Sequence, residues 1–368
     1  MEKEIKENII KKGIDAYLYD MEIDFSNDKM LQDLYDIESN EIGIALIFNK
    51  KENEFIFQSK DLVDYGVSSV NNAIIQCLAN IKYLKDIFNR KNIFKRNYDI
   101  NIEREVTKNF YKIIQYMWHY NEFEIINEYI EFIFQLSELS GIKDINYNIE
   151  SLIKFYLVAI HSELSVEENN KINYKLYELE NEFCNDDDSL IKKIFFFKQK
   201  SVNKCHCNRN ITKKNCLLVF NVKDFLRKNP KMTKFNSNSI FSFEHEFFCK
   251  NCKITINSKI EFINYPEILI IIFQYMPKQK LELNEELKIK KENYKLISII
   301  FENEIFQTNE IKILKTYCKS PVNNKWYEYG GTSYDKDNKD KNKKDINFNN
   351  IKSINLIPKL LIFQKESK

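Results

Sequence analysis

Glycine is nearly absent, at 6 of 368 residues, against a usual level of about 7%. No G-x-G-x-x-G and no phosphate-loop motif occurs, so folds that cradle a nucleotide in a glycine loop are excluded. Arginine is also scarce: five of the 56 Lys plus Arg, and Arg is the favoured reader of phosphates and base edges. Neither sign of charge dominates. The 54 Asp plus Glu leave a formal net charge of +2, which argues against a general nucleic-acid partner. Long apolar runs are missing as well. The longest strictly apolar run, Ile268 to Phe273, falls far short of the about 20 residues a bilayer requires. Met1-Glu2-Lys3-Glu4-Ile5-Lys6-Glu7 is charged and no apolar block follows, so no signal peptide and no membrane are expected. Histidine is the last scarcity. There are four, His119, His161, His206 and His245, and none follows residue 245.

What is present is 43% hydrophobic residues, enough for a sizeable core. At about 150 residues per domain, the length fits two to three domains or one large one. Eight cysteines in a chain expected in the cytoplasm or nucleus point to metal binding or catalysis more than to disulfides.

Residues 1–60 read as a charged extension, with Ile9, Ile10, Ile14 and Tyr17 on one helical face and a hairpin between Ile42 and Phe57. Residues 61–200 read as mostly helical. Val70, Ala73, Ile74, Cys77, Leu78, Ile81 and Leu84 recur at three- and four-residue steps, the mark of an amphipathic helix, with Ser68 and Ser69 placed to cap it. Further helices are expected over Val106 to Asn121 and Ile149 to Leu164. From residue 201 the pattern turns to strands: Leu217 to Phe220, Ile268 to Phe273, Leu296 to Phe301 and Leu360 to Phe363. Asp335 to Asp345 holds only Asp, Lys and Asn, and a disordered loop is expected over about 335–350. Helices first and a sheet afterwards suggest an α+β architecture.

The cysteines carry the sharpest local signal. Cys249 and Cys252 form a C-x-x-C pair; Cys205 and Cys207 flank His206 upstream. Together the two pairs offer four thiolates to a structural zinc, with His206 or Cys216 as substitutes for one of them. The other reading is that these are free cytosolic thiols.

The order of segments resembles the ubiquitin-specific protease family, the ubiquitin carboxyl-terminal hydrolases of papain-like fold. The family's cysteine box has the form G-N-T-C-Y-M-N-S-x-L-Q-C-L-x-N. Here Gly66-Val67-Ser68-Ser69-Val70-Asn71-Asn72-Ala73-Ile74-Ile75-Gln76-Cys77-Leu78-Ala79-Asn80 stands, matching well in its second half. The next box, E-F-L-x-x-L-L-D-x-L-H-x-E-L, is followed loosely by Ser151-Leu152-Ile153 through Leu157, Ile160, His161, Ser162, Glu163 and Leu164. The cysteine pairs come next, then Pro266-Glu267-Ile268-Leu269-Ile270-Ile271, similar to P-x-I-L-I-I. Tyr294 to Ile300, Thr316 to Pro321, Lys325-Trp326-Tyr327-Glu328-Tyr329 and Leu360 to Lys365 resemble the family's closing block. The resemblance spans about residues 62 to 366. It implies a helical thumb (61–200), zinc-ribbon-like fingers (about 201–258) and a β-rich palm completing 201–368.

In that family a cysteine thiolate attacks the isopeptide carbonyl, a histidine takes its proton, and an Asp or Asn orients the histidine. Carried over residue by residue, the nucleophile position is Ser69 and the oxyanion Asn position is Val67. The base is Ile313 and the acid is Gly330. All four are substituted, and no register of the C-terminal segment supplies a histidine. A hydroxyl at Ser69 is a far weaker nucleophile than a thiolate and needs an activating base; a helix N-cap is its plain reading. Gly330 and Gly331 read as a tight turn. Cys77, Cys318 and His161 read as core residues.

The resulting expectation is a degenerate member that binds ubiquitin or a ubiquitin-like protein without cutting it. Two alternatives stand beside it. One is a structural scaffold of a larger complex, like the family's inactive splicing-factor branch, to whose box Asn72-Ala73-Ile74-Ile75-Gln76 is loosely similar. The other is a residual thiol-dependent hydrolase with relocated catalytic residues.

Overall fold

The computed structural model describes residues 69–88, 105–118, 126–142, 148–165, 172–185, 190–204, 210–217, 219–222, 244–249, 253–262, 264–273, 283–302, 314–330, 345–353 and 357–366. The helical face at Ile9 to Tyr17 and the hairpin between Ile42 and Phe57 lie outside them. The chain divides into two compact units. One holds the helices up to Lys193 and the segment Cys318–Asp345; the other holds Ile194–Tyr317 and Ile346–Glu366.

The first unit contains α1 (Ser69–Ala79), α2 (Lys82–Phe88), α3 (Glu105–Trp118), α4 (Ile126–Ser140), α5 (Ile149–Ser165) and α6 (Leu176–Asn185). The short α7 (Leu190–Phe195) leads the chain into the second. The single helix expected from Val70 to Leu84 is two. Asn80 Nδ2 donates to the Gln76 carbonyl at 2.8 Å, the acceptor that a continuing helix would give to the Asn80 backbone N–H. The Asn80 and Ile81 amides turn instead to the carbonyls three residues back, Cys77 and Leu78. This tightening ends α1.

Helix α3 satisfies the last carbonyl of both preceding helices. Trp118 Nε1 donates to Ala79 O at 3.0 Å, and Gln115 Nε2 to Phe88 O at 2.8 Å. Helix α5 was expected to bury one stripe. It buries every residue from Leu152 to Glu163 except Lys154, because helices pack on several of its sides. Helix α4 ends at Ser140, and Gly141 follows at φ +67°, the left-handed conformation that glycine adopts at helix C-termini. A Cβ at 141 would meet Lys175 Cδ at 3.0 Å, while the Lys175 ammonium donates to Glu138 O. Gly141→Ala is expected to lower the unfolding free energy by about 1–2 kcal/mol, measured by urea denaturation.

The strands form two sheets, and of their residues Cys318–Lys319 and Trp326–Tyr329 fall in the first unit and the rest in the second. Strands β1 (Phe197–Lys204), β2 (Asn210–Leu217), β4 (Glu244–Cys249) and β5 (Ile254–Phe262) form an antiparallel sheet in the order β2-β1-β5-β4. Strand β3 is only Phe220–Asn221, so the strand expected from Leu217 to Phe220 is split between the two sheets. The second sheet adds β6 (Ile268–Ile272), β7 (Glu286–Ile289), β8 (Glu292–Glu302), β9 (Leu314–Lys319), β10 (Trp326–Tyr329) and β11 (Ile357–Lys365). Its order is β10-β9-β8-β11-β6-β3, with β7 on β8. β11 is antiparallel to both β8 and β6, whereas β3 is parallel to β6. All five β6 residues are buried, as their unbroken apolar run required. The loop expected to run to residue 350 is ordered at its end. Helix α8 occupies Phe348–Ser353, held by buried Phe348 and Ile351, an apolar pair at helical spacing.

Candidate functional site

Ser69, which the resemblance sets at the nucleophile position, is the first residue of α1. Val67 lies outside the described residues, as does Ile313, which directly precedes β9. Gly330 directly follows β10 with φ +82°. This is a region a residue with a Cβ enters at a cost, so the backbone at Gly330 favours glycine. Cys318 and Cys77 are both fully buried, and the Cys318 thiol sits 3.7 Å from the Gln76 carbonyl of α1. His161 is buried with its ring edge-on to Phe183 at 4.8 Å. These three are core groups.

Polar contacts hold α1 and α3 in place, and they were not evident in the sequence. Tyr156 of α5 donates its hydroxyl to Asn71 Oδ1 at 2.6 Å, inside the first turn of α1. Glu163 of α5 is fully buried and receives the Val106 amide at 3.0 Å, the Thr107 amide at 2.6 Å and the Tyr174 hydroxyl. It thereby caps the N-terminus of α3 from another helix. Burial pushes its carboxyl above the usual range, and the hydrogen bonds from Thr107, Tyr174 and Val106 pull it back. Burial likewise pushes the Tyr174 hydroxyl up, with Glu163 adding to the effect. The signal for Asn71 and Tyr156 was a mismatch: each is polar where the family motifs carry Met and Leu.

The cysteine pairs map onto the four-stranded sheet. Lys204 of β1 lies opposite Asn210 of β2, so Cys205 and Cys207 belong to the connection between these strands. Cys249 closes β4 opposite Ile254 of β5, and Lys253 turns the chain at φ +53°. β5 is antiparallel to β1 and adjacent to it, so both connections leave from the same end of the sheet. Cys205, Cys207 and Cys252 themselves lie outside the described residues. Cys216 pairs with Lys198, toward the other end of β2. Six residues at about 3.3 Å each put it about 20 Å from that end, which removes it as a substitute ligand. Among the described residues, no three His, Cys, Asp or Glu are grouped to hold a metal.

The family model described as ubiquitin carboxyl-terminal hydrolase matches residues 61–348. The chain belongs to that family. Its α+β fold is that of the ubiquitin-specific proteases expected from the sequence. Solved structures share the fold at low identity. The yeast SAGA DUB module with a mutant Sgf73 matches with a TM-score of 0.61 and 14% identity, over 94% of this chain and 75% of that one. A SAGA DUB module containing Ubp8, bound to monoubiquitin, matches with 0.56 and 15%, over 94% and 76%. An essential yeast splicing factor matches with 0.52 and 13%, over 87% and 72%. No match is found among curated proteins. Among the described residues no helix is long and apolar enough to cross a membrane.

Proposed function

We propose that this ubiquitin carboxyl-terminal hydrolase family member binds ubiquitin or a ubiquitin-like protein and does not cleave it. The observation that carries the reading is the loss of the general base. The base position is Ile313, and no histidine follows His245 in the sequence. Acyl transfer from a thiol or hydroxyl needs a proton acceptor within hydrogen-bond reach of the nucleophile. An isoleucine side chain accepts no proton. Ser69, Val67 and Gly330 complete the set of substituted positions. The helical unit serves as thumb, the four-stranded sheet as fingers and the second sheet as palm. The fold shared with a Ubp8-containing module bound to monoubiquitin supports ubiquitin as the class of partner, and the cytoplasm or nucleus as the place.

Structural zinc is part of this proposal. Cys205, Cys207, Cys249 and Cys252 are the ligands, supported by the two connections that leave one end of the sheet together. Bound there, zinc would tie the two connections to each other, a folding contribution and not a chemical one. Elemental analysis of protein purified without chelator is expected to find about one zinc per chain. Cys249→Ser with Cys252→Ser should abolish it, and a metal-free preparation of the unaltered chain would sink the assignment.

The second reading is a scaffold of a larger complex, favoured by the shared fold with an essential splicing factor and by Asn72-Ala73-Ile74-Ile75-Gln76. One experiment separates the two. Ubiquitin is titrated into the purified chain by calorimetry, and a fluorogenic ubiquitin substrate is tested on the same batch. Saturable binding without turnover is the expected result. Turnover abolished by Ser69→Ala overturns the proposal in favour of a hydrolase with a displaced base. Neither binding nor turnover leaves the scaffold.

A further inference from the structure

Asn71 is the third residue of α1, and its amide oxygen accepts the Tyr156 hydroxyl at 2.6 Å. Both side chains are buried, Asn71 at 3% and Tyr156 at 0% exposure. The Tyr156 ring is fixed by Phe110 of α3 at 6.1 Å, Phe132 of α4 at 6.5 Å and Phe155 of α5 at 6.2 Å. The hydroxyl is thus rooted in an aromatic cluster that joins three helices. Phe110 is held in turn, edge-on, by Phe88 of α2 at 5.1 Å.

The family motifs carry Met at 71 and Leu at 156, both apolar. Replacing either one alone would bury a polar group against an apolar neighbour, which is costly. Replacing both lets the two groups satisfy each other. A hydrogen bond is directional, whereas apolar contact is not. The Tyr156–Asn71 bond therefore fixes the rotation of the turn as well as its depth. The far end of α1 has its own anchor, Trp118 on Ala79.

We infer that Asn71 and Tyr156 are a positioning pair that fixes the first turn of the helix opening at Ser69. The statement about the turn stands on these contacts. Its consequence for a bound ubiquitin tail rests on the function proposed above.

Hydrogen exchange on the full chain tests the pair. The amides of Ala73, Ile74 and Ile75 bond the carbonyls of Ser69, Val70 and Asn71 in an α-helix, so they report opening of the first turn. In Tyr156→Phe they are expected to exchange about tenfold faster, equivalent to about 1.4 kcal/mol, while Asn80, Ile81 and the α3 amides keep their rates. Asn71→Met alone should behave alike, and Asn71→Met combined with Tyr156→Leu should recover most of the protection. Acceleration spread evenly over the helical unit, unchanged rates, or a double variant worse than either single one would overturn the inference. In parallel, ubiquitin and ubiquitin lacking its C-terminal Gly-Gly are titrated into the same proteins. Tyr156→Phe is expected to weaken binding of the intact form and leave that of the truncated form unchanged. An unaltered chain that binds neither form refutes the proposed function, and the exchange rates still decide the pair.

Discussion

Replacing Glu163 with alanine is expected to cost about 3–5 kcal/mol of unfolding free energy, the summed penalty of leaving several buried donors without an acceptor. The Val106 and Thr107 amides belong to the first turn of α3 and have no intrahelical partner. The Glu163 carboxylate takes both, and the Tyr174 hydroxyl besides. With the carboxylate gone, these donors face a site that is fully buried. Glutamine is a milder test. Its oxygen can accept, but its amide nitrogen faces a donor, so a loss of about 1–3 kcal/mol is expected. The protonated acid keeps two oxygens that accept, so it should be tolerated better than the amide.

This gives a pH dependence of known sign. The carboxyl of Glu163 is raised in the folded state, chiefly by burial. The stability it adds is fully present below the carboxylate value of the unfolded chain and fades as pH rises through the higher folded value. The stability gap between the unaltered chain and Glu163→Gln should therefore narrow over that window and level off above it. Guanidinium denaturation at a series of pH values reads the gap. A gap that widens with rising pH would show the carboxylate to be favoured by its hydrogen bonds over burial.

The features legible in the sequence were those written in local pattern. The apolar spacing of Leu152, Ile153, Tyr156, Leu157 and Ile160 marks α5, and the run Ile268 to Ile272 marks a strand buried on both faces. The family showed through motif order. The four-stranded sheet was harder to see. Strands such as Lys198-Gln199-Lys200-Ser201 and Thr212-Lys213-Lys214-Asn215 carry no apolar alternation, so their pairing is fixed by hairpin connectivity. Tertiary capping was invisible for a different reason. Glu163 and the amides it caps are 56 and 57 residues apart, and no local rule links a glutamate in one helix to the first turn of another. Asn80 ended α1 early through one side-chain bond, against an apolar spacing that continued to Leu84.

Trp118→Ala is expected to cost about 3–5 kcal/mol, the usual range for emptying a buried tryptophan site, and the conservative variant separates its roles. Trp118 is 1% exposed and supplies three things: volume, the donor to Ala79 O at 3.0 Å, and a ring face 4.8 Å from the Lys85 ammonium. Trp118→Phe keeps most of the volume, loses the hydrogen bond for about 1 kcal/mol, and offers Lys85 a weaker π face. Lys85 is itself buried at 6% exposure. Burial lowers its pKa, and Asp86, 3.7 Å away, only partly restores it. The cost of keeping this ammonium charged is present below its lowered folded value and is relieved as pH rises toward the unfolded lysine value. A weaker ring face raises that cost, so the deficit of Trp118→Phe should shrink as pH rises through this window. In a Lys85→Met background the pH dependence of the deficit should vanish, leaving only the lost hydrogen bond and volume. Thermal unfolding of the four proteins across neutral to alkaline pH measures both terms. An identical deficit at every pH would assign Trp118 to packing and to the Ala79 carbonyl alone.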